Sequence, residues 1–325
     1  KTPGFNQSEL KMAKNLADEL DSMKISGPPS LFEMPTEMVY KIAGKVDPFS
    51  RLTVRKVCRN LRNVIDDTDP GFKKVEVDLG GYAGSHRLCL TSSICSYISY
   101  SPNSNNPGCT VERNSQRKSI EKTQLNAILD DLAVIVKNPK LRLDNFVIVS
   151  SCGNSKEFVE WLREITQSGS LLHTKRIRVI DCPGDLLGVL SHCKPGFLEA
   201  IEFYCFNSGK IDEITNLEQW KRAKSINIDS RRCDDIPIEH FFHFSRFTIR
   251  MGKLSVPDAI KIRDDLMKSA HFEYGIIDIY DELTPEAARV FNPNFIAHNR
   301  DGIENKIEQF LLTIYRKRLE IKKID

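Results

Sequence analysis

Residues 29–66, PSLFEMPTEMVYKIAGKVDPFSRLTVRKVCRNLRNVID, contain the spacing of apolar positions that decides the first part of the fold. Apolar residues recur every three or four positions, which predicts three short helices. Asp47-Pro48 is typical of an N-cap followed by a first-turn proline, and Pro35 lies just inside the start of the preceding helix. The apolar stripes comprise Met38, Ile42 and Val46, then Phe49 and Leu52, then Val57, Leu61, Val64 and Ile65. About forty residues cannot bury all of these side chains among themselves, so the stretch predicts a module that docks on a partner.

The order and spacing of four landmarks in this stretch resemble an F-box. They are Leu31-x-x-Met34-Pro35-x-x-Met38, Asp47-Pro48, Leu52 and Arg55-Lys56-Val57-Cys58-Arg59-x-Leu61-Arg62. An F-box binds the Skp1-type adaptor of a cullin-based ubiquitin ligase, and many F-boxes carry tryptophan where this chain has Leu61. The resemblance implies that the adaptor contacts Leu31, Met34, Pro35, Met38, Ile42, Leu52, Val57 and Leu61. The alternative for some of these residues is that they pack the module against neighbouring segments.

After Asp66 the periodicity changes to a motif of the form apolar-x-x-apolar-x-apolar. Clear copies are Phe72-x-x-Val75-x-Val77, Leu143-x-x-Phe146-x-Ile148, Leu198-x-x-Ile201-x-Phe203, Phe244-x-x-Phe247-x-Ile249 and Tyr274-x-x-Ile277-x-Ile279, and shorter copies are Ile177-x-Val179 and Ile226-x-Ile228. The copies from residue 146 onward recur at roughly 20 to 30 residues, the range of leucine-rich-type repeats. Helices are predicted between them at 155–166, 185–192, 216–223, 237–244 and 255–270. This succession predicts a parallel sheet with helices packed behind it.

The alternation of strand side chains predicts a second functional surface. If the paired apolar residues point toward the helices, the interleaved residues form a charged and aromatic column on the opposite face. These predicted target-binding residues are Arg178, Glu202, Tyr204, Asn227, Asp229, Thr248, Arg250, Asp278 and Tyr280. Repeat proteins commonly bind through this face, and the alternative is a solvated sheet surface.

The single F-box followed by alternating strands and helices resembles the nematode F-box family whose carboxyl-terminal part is called an FTH domain. The predicted fold class is α/β, with a three-helix F-box followed by an irregular leucine-rich-repeat-like solenoid of strands and helices. The predicted domains are an amphipathic arm and linker at 1–28, the F-box at 29–70 and the FTH-like domain at 71–325.

Three further elements are predicted from composition and spacing. The polar stretch 101–118 predicts an exposed loop, and 121–136 predicts a helix. A closing helix is predicted over 303–324, with its inward side formed by Ile307, Phe310, Leu311, Ile314 and Leu319.

Composition is that of a folded, non-membrane protein. The 325 residues are 40% hydrophobic and 28% charged, with a net charge of only +3. Such a charge does not indicate a nucleic-acid partner. The nine cysteines include no CxxC pair, so they are interpreted as reduced thiols of an intracellular protein, in cytoplasm or nucleus. No apolar run reaches the roughly 18 residues that cross a bilayer.

Several groups of residues have the composition of catalytic or metal sites, but each has a simpler structural interpretation. His192-Cys193 with Cys182 lacks an oriented base, and His240 with His243 lacks further metal ligands. Asp130-Asp131 and Asp264-Asp265 are explained by solvated helix faces. No cofactor, metal or catalytic residue is predicted. The basic groups are likewise interpreted as solvated faces: Arg51, Arg55, Lys56, Arg59 and Arg62, then Arg316-Lys317-Arg318 with Lys322-Lys323.

The predicted function is that of a non-catalytic substrate receptor. Its F-box would hold a Skp1-type adaptor, and through it a cullin, while the repeat domain would hold an unknown target protein. One alternative is a protein-protein adaptor that acts without ubiquitin transfer. The other is an RNA- or DNA-binding repeat protein.

Overall fold

The computed structural model describes residues 34–80, 84–103, 107–150, 154–167, 171–180, 186–204, 211–229, 236–296 and 302–324. The chain divides into two compact units, Lys1–Thr68 and Asp69–Asp325. The predicted amino-terminal arm, Leu31 and Cys182 lie outside the described residues.

The first unit contains the three predicted helices, α1 (Thr36–Lys45), α2 (Pro48–Val54) and α3 (Arg59–Asp66). The helices begin where local chemistry dictates, since the Asp47 carboxylate accepts hydrogen bonds from the backbone N–H groups of Phe49 and Ser50, each at 3.0 Å. Pro35 is the N-cap residue of α1, one position before the predicted first turn. A small core is built from Ala43, Val64 and Ile65, with Val39, Tyr40 and Val54 partly buried against it.

The second unit is built on one large sheet. Within the described residues, fourteen strands form it in the order β12-β13-β14-β11-β10-β9-β8-β7-β6-β1-β2-β3-β4-β5. The strands are β1 (Lys74–Asp78), β2 (His86–Thr91), β3 (Cys95–Pro102), β4 (Cys109–Arg113), β5 (Gln116–Ile120), β6 (Leu143–Val149), β7 (Thr174–Ile180), β8 (Ala200–Tyr204), β9 (Ser225–Asp229), β10 (Arg246–Met251), β11 (Tyr274–Ile279), β12 (Ile303–Ile307), β13 (Phe310–Tyr315) and β14 (Arg318–Lys323). The predicted parallel sheet is present, because β1 and β6 to β11 run parallel and each of β6 to β10 lies beside the strand that follows it in the chain.

Helices cover one face of this sheet. They are α4 (Gln124–Val136), α5 (Ser155–Thr166), α6 (Leu186–Leu190), α7 (Ile211–Thr215), α8 (Glu218–Arg222), α9 (Val256–Asp264) and α10 (Pro285–Phe291), with 3₁₀ turns at Ile238–Phe241 and Leu266–Lys268. Strands β9 to β11 alternate between buried and half-exposed residues, so one face is the core and the other meets solvent. Phe247 and Phe272 stack in that core with ring centroids 5.6 Å apart.

The predicted closing helix over 303–324 is wrong, because β12, β13 and β14 form an antiparallel meander there. Every second residue is buried, namely Phe310, Leu312 and Ile314 in β13 and Leu319 and Ile321 in β14. Leu311, assigned to the inward side of the helix, lies on the other face and is half-buried. Glu308 adopts a left-handed φ of 51° at the first turn, which a continuous helix cannot accommodate. Strand β14 pairs with β11 and so extends the sheet.

The predicted exposed loop over 101–118 is also wrong. Strands β4 and β5 form a hairpin there, and β4 pairs with the end of β3. Its two-residue turn places Asn114 and Ser115 at left-handed φ values of 49° and 65°, as hairpin turns with the strands' twist require. The sequence of the hairpin shows no apolar alternation, because Cys109 is the one buried residue of its two strands.

Candidate functional site

The first unit exposes several apolar side chains. Met38, Ile42 and Val57 expose 42%, 39% and 69% of their areas. Met38 and Ile42 lie one turn apart on α1, so the helix presents them side by side. Several exposed apolar side chains on so small a unit are typical of a surface that a partner covers.

The other predicted adaptor-binding residues divide by burial. Pro35 is exposed, and Met34 and Leu52 are half-buried. Leu61 is only 8% exposed and packs inside the unit, where its backbone N–H donates to the Cys58 Sγ at 3.5 Å. In the free chain Leu61 therefore supports the helices and is not available on the surface.

The predicted basic face of the first unit is smaller than the sequence indicates. The guanidinium of Arg51 is buried and donates to the carbonyls of Gly44 at 2.7 Å and Val46 at 2.8 Å, where α1 ends. Arg55 forms a forked pair with Asp66, at 2.5 and 3.0 Å. These two arginines stabilise the unit's own structure, and only Lys56, Arg59 and Arg62 of the group are exposed.

The nine predicted target-binding residues all lie on the solvent-facing side of the second unit's sheet. None is buried, whereas their neighbours Ile177, Val179, Ile226, Ile228 and Ile249 are. The register sets Glu202 directly between Arg178 and Asn227, and Arg250 beside Asp278. Successive strands therefore bring residues that are 20 to 30 positions apart into one continuous surface.

Ion pairs connect neighbouring strands across this face. Arg178 donates to Glu202 at 2.6 Å, and Arg250 lies 2.6 Å from Asp229. The hydrogen bond that Arg178 donates to Glu202 raises the pKa of the guanidinium further above its ordinary value, so Arg178 stays charged at any physiological pH. The charges of these pairs are arranged in alternation, so the central part of the face has mixed rather than single-sign charge.

Two tyrosines give the face its aromatic character. The guanidinium carbon of Arg178 lies 5.9 Å from the ring centroid of Tyr204. Tyr280 is 63% exposed, and the Lys317 ammonium lies 5.9 Å from its ring. An exposed tyrosine beside a cation is a side-chain combination enriched in protein interfaces.

Sequence reasoning missed three residues of this face. Arg176 also contacts Glu202, at 3.2 Å, and the period of two from Arg178 could have identified it. Arg318 donates to Asp278 at 2.6 Å, and Lys317 donates to the Tyr280 carbonyl at 2.9 Å. Both belong to the segment predicted as a helix, so the wrong period concealed them.

The cysteine candidate for catalysis is buried and inert. Cys193 is fully buried, and burial raises the pKa of its thiol to about 12. A thiolate is the reactive form, so this cysteine is not a nucleophile near neutral pH. The Nδ1 of His192 is bonded to the Thr166 hydroxyl at 2.7 Å. The two adjacent residues have separate structural roles.

The remaining candidates are structural as well. His243 packs on Phe244, with ring centroids 3.9 Å apart, and its Nε2 lies 3.0 Å from the Trp220 carbonyl oxygen. Asp131 accepts a hydrogen bond from the buried Tyr100 hydroxyl at 2.6 Å. Asp264 pairs with Arg263. Across the described ranges, no three His, Cys, Asp or Glu side chains are grouped as metal ligands would be. No described helix is both long and apolar enough to span a bilayer.

The predicted basic cluster near the end of the chain is partly neutralised by carboxylates. Arg316 pairs with Glu282, while Arg318 pairs with Asp278 as described above. Both arginines are held by carboxylates on the strand and loop beside them. This argues against a phosphate-binding role for the cluster Arg316-Lys317-Arg318.

Comparison with known proteins identifies two domain families in the chain. Residues 31–73 match the family model of the F-box domain, and residues 156–294 match that of the FTH domain. The segments for which the sequence-based secondary structure was wrong, 101–118 and 303–324, both lie outside these matches. No solved structure matches the chain.

A relative of known family extends the match over most of the chain. F-box A protein 224 of Caenorhabditis elegans is 30% identical over 302 residues, which cover 88% of this chain and 75% of that protein. F-box domains generally bind Skp1, and proteins that carry them are usually subunits of Skp1-cullin ubiquitin ligases. The chain belongs to the nematode family of F-box proteins that carry an FTH domain.

Proposed function

We propose that this protein is the substrate-recognition subunit of a Skp1-cullin-F-box ubiquitin ligase. The observation that carries the proposal is the exposure of the apolar side chains of Met38, Ile42 and Val57 on a unit that matches the F-box domain. The adaptor would cover this surface together with Leu31, Met34, Pro35 and Leu52, and through the adaptor the protein would reach a cullin. Leu61 would act by packing the helices.

The target would bind to the solvent face of the sheet. We propose that the run β6 to β11 is an irregular solenoid of leucine-rich-repeat type, since successive strands are neighbours and the helices lie on one side. Its polar face would contact the target through Arg178, Glu202, Tyr204, Asn227, Asp229, Thr248, Arg250, Asp278 and Tyr280. The protein would contribute no bond chemistry. It would raise the effective concentration of the target's lysines near a ubiquitin-charged enzyme, in the intracellular setting that F-box proteins share.

Co-purification with a Skp1-type adaptor tests the first half of the proposal. We expect the intact chain to capture the adaptor, and Met38→Asp with Ile42→Asp to abolish capture because two carboxylates would have to be buried in an apolar interface. Thr36→Asp is the matched control, since residue 36 is exposed, lies on the opposite side of α1 and tolerates an acidic group in the first turn. An intact, folded chain that captures no adaptor would refute the proposal.

Ubiquitin transfer tests the second half. Proteins captured by the intact chain should carry ubiquitin and should accumulate in cells when the double Asp variant replaces it. Captured proteins whose ubiquitin content and abundance do not respond to that variant would instead identify an adaptor that acts without ubiquitin transfer.

A further inference from the structure

An open groove of about 810 Å³ lies along one edge of the second unit's sheet, away from the nine predicted target-binding residues. It follows the edge where β9, β10 and β11 begin and where β14 ends. The side chains used below are Lys224, Arg246, Glu273, Lys322 and Lys323, and this set is called the edge groove.

The edge groove concentrates positive charge. Four of its five charged side chains are cations, although the whole chain has a net charge of only +3. His271 also lines the groove. The cations come from parts of the chain about 100 residues apart, and the antiparallel pairing of β14 with β11 unites them. The concentration is therefore a product of the fold.

These cations are available to an incoming anion. Lys224 pairs with Glu199 at 3.0 Å and Arg246 with Glu273 at 2.8 Å, but both pairs are largely exposed and so are weakly held. Among the described residues, Lys322 has no carboxylate partner, and Lys323 donates to the Ala270 carbonyl at 3.2 Å. A ligand with several carboxylates would form an ion pair with Lys322. It would also compete with Glu199 for Lys224 and with Glu273 for Arg246.

The rest of the solvent face carries paired charges of both signs. Glu202, Asp229 and Asp278 lie further along their strands, and each already pairs with an arginine. A negatively charged ligand is therefore attracted to the edge groove by its excess of cations.

The dimensions of the edge groove fit a short extended segment. From β9 to β14 there are three strand spacings, about 14 Å, and an extended chain covers about 3.4 Å per residue. About five residues span the cations. Alternate side chains of an extended segment point the same way, so three acidic side chains could face the groove together.

We propose that the edge groove binds an acidic, extended segment of the target protein, about five residues long with alternating Glu or Asp. The inference deepens the proposed function, since it gives the target a chemical signature, and it rests on that function for the identity of the bound protein as a target. The segment would supply carboxylates to Lys322, Arg246 and Lys224, while the mixed-charge centre of the face would contact the remainder of the target.

Direct binding to the full chain tests the proposal. The probe is a fluorescein-labelled Glu-Ser-Glu-Ser-Glu peptide, compared with Gln-Ser-Gln-Ser-Gln and with inorganic phosphate as competitor. We expect saturable binding of the Glu peptide at low salt, at least tenfold weaker binding of the Gln peptide, and affinity that falls steeply as salt rises. Phosphate should compete only far above the peptide's dissociation constant, because it engages one cation at a time.

The variant Arg246→Gln with Lys322→Gln should weaken the Glu peptide at least tenfold. Its matched control is Arg59→Gln with Lys253→Gln, which removes the same charge from exposed cations outside the groove and should leave binding within about twofold. Equal weakening by both variants would show a response to net charge alone and would overturn the assignment. Unchanged binding in the groove variant, or phosphate competition as strong as the peptide's, would also overturn it.

Adaptor capture by the same samples separates this inference from the proposed function. A chain that captures the adaptor but does not bind the Glu peptide refutes the edge groove and leaves the receptor role standing. Groove-dependent peptide binding without adaptor capture refutes the receptor role and retains the edge groove as an acidic-peptide site.

Discussion

The buried guanidinium of Arg51 shows what a single residue does in the F-box unit. In the sequence it is one of five basic residues within twelve positions and looks like part of a charged surface. In the structure it satisfies the carbonyls of Gly44 and Val46, which the end of α1 leaves without intrahelical partners. The residue type alone did not predict this, because the carbonyls and the side chain meet only when α2 folds back toward the end of α1.

Arg51→Met should destabilise the F-box unit by about 1.5–3 kcal/mol, because it removes charge-assisted hydrogen bonds from buried carbonyls. Both tryptophans, Trp161 and Trp220, belong to the second unit, so the measurement is amide hydrogen exchange of peptides covering residues 36–66. Exchange should accelerate at least tenfold there. Arg59→Met is the control, since Arg59 is exposed, and equal acceleration in both variants would contradict the capping role.

At the scale of secondary-structure elements, the clear successes are the elements with a strong period. The helix α5 was predicted over the residues it occupies, and α4 begins three residues after its predicted start. The wrong predictions are those for residues 101–118 and 303–324, which form antiparallel strands. In β13, apolar residues occupy both faces, and Leu311 and Ile314 also satisfy a helical spacing, so nothing in the local pattern decides between the periods.

One hydrogen bond joins β3 to α4. The Tyr100 hydroxyl is fully buried and donates to Asp131 at 2.6 Å. Tyr100→Phe should lower the free energy of unfolding of the second unit by about 1 kcal/mol, because Asp131 is exposed and can bond to water instead. Urea denaturation followed by tryptophan fluorescence measures the change. Combining it with Asp131→Asn in a double-mutant cycle should give less than additive losses, and strict additivity would contradict a direct bond.

A glycine in β11 allows two aromatic rings to approach the strand. A Cβ at Gly275 would lie 2.9 Å from Phe247 and 3.0 Å from Phe272, closer than carbon atoms pack. Gly275→Ala should therefore destabilise the second unit by about 1–3 kcal/mol through overpacking, lowering the urea midpoint reported by the tryptophans. Gly44→Ala makes the same chemical change in α1, where nothing lies within 4 Å. It should leave that midpoint unchanged, and equal effects of the two would contradict the packing argument.

For the whole molecule, buried and partly buried histidines couple stability to pH. Burial lowers the pKa of His86, His192 and His243 from 6.5, and it also lowers that of His173. The unfolded chain then binds more protons than the folded chain just below pH 6.5. Stability is fully present above that pH and falls as pH drops toward the folded-state values.

The urea midpoint of the second unit should therefore be lower at about pH 5.5 than at about pH 7.5. Asp144 and Glu239 contribute little to the change in stability between these pH values. Folding lowers their pKa from 3.8 and 4.5, so the stability that they provide is lost only at more acid pH. His243→Gln should reduce the pH dependence of the urea midpoint. The glutamine amide can still donate to the Trp220 carbonyl, but it does not titrate. A midpoint that stays constant between the two pH values would contradict the linkage.

Most of the central architecture could be predicted from the sequence. The three helices of the F-box unit, the parallel strands and the solvent face of alternating residues follow from local spacing, because a side chain's face depends only on its position within its own helix or strand. The assignment to the F-box and FTH family rests on the same short-range patterns.

What only the tertiary structure decided is which distant residues meet. Burial of Leu61 and Arg51, the pairing of Asp278 with Arg318, and the edge groove formed by Lys224, Arg246 and Lys322 all depend on how separate helices and strands pack against one another. Local sequence determines the period of an element and therefore its faces. Strand order and register determine which faces become neighbours, and these result from the packing of the whole sheet.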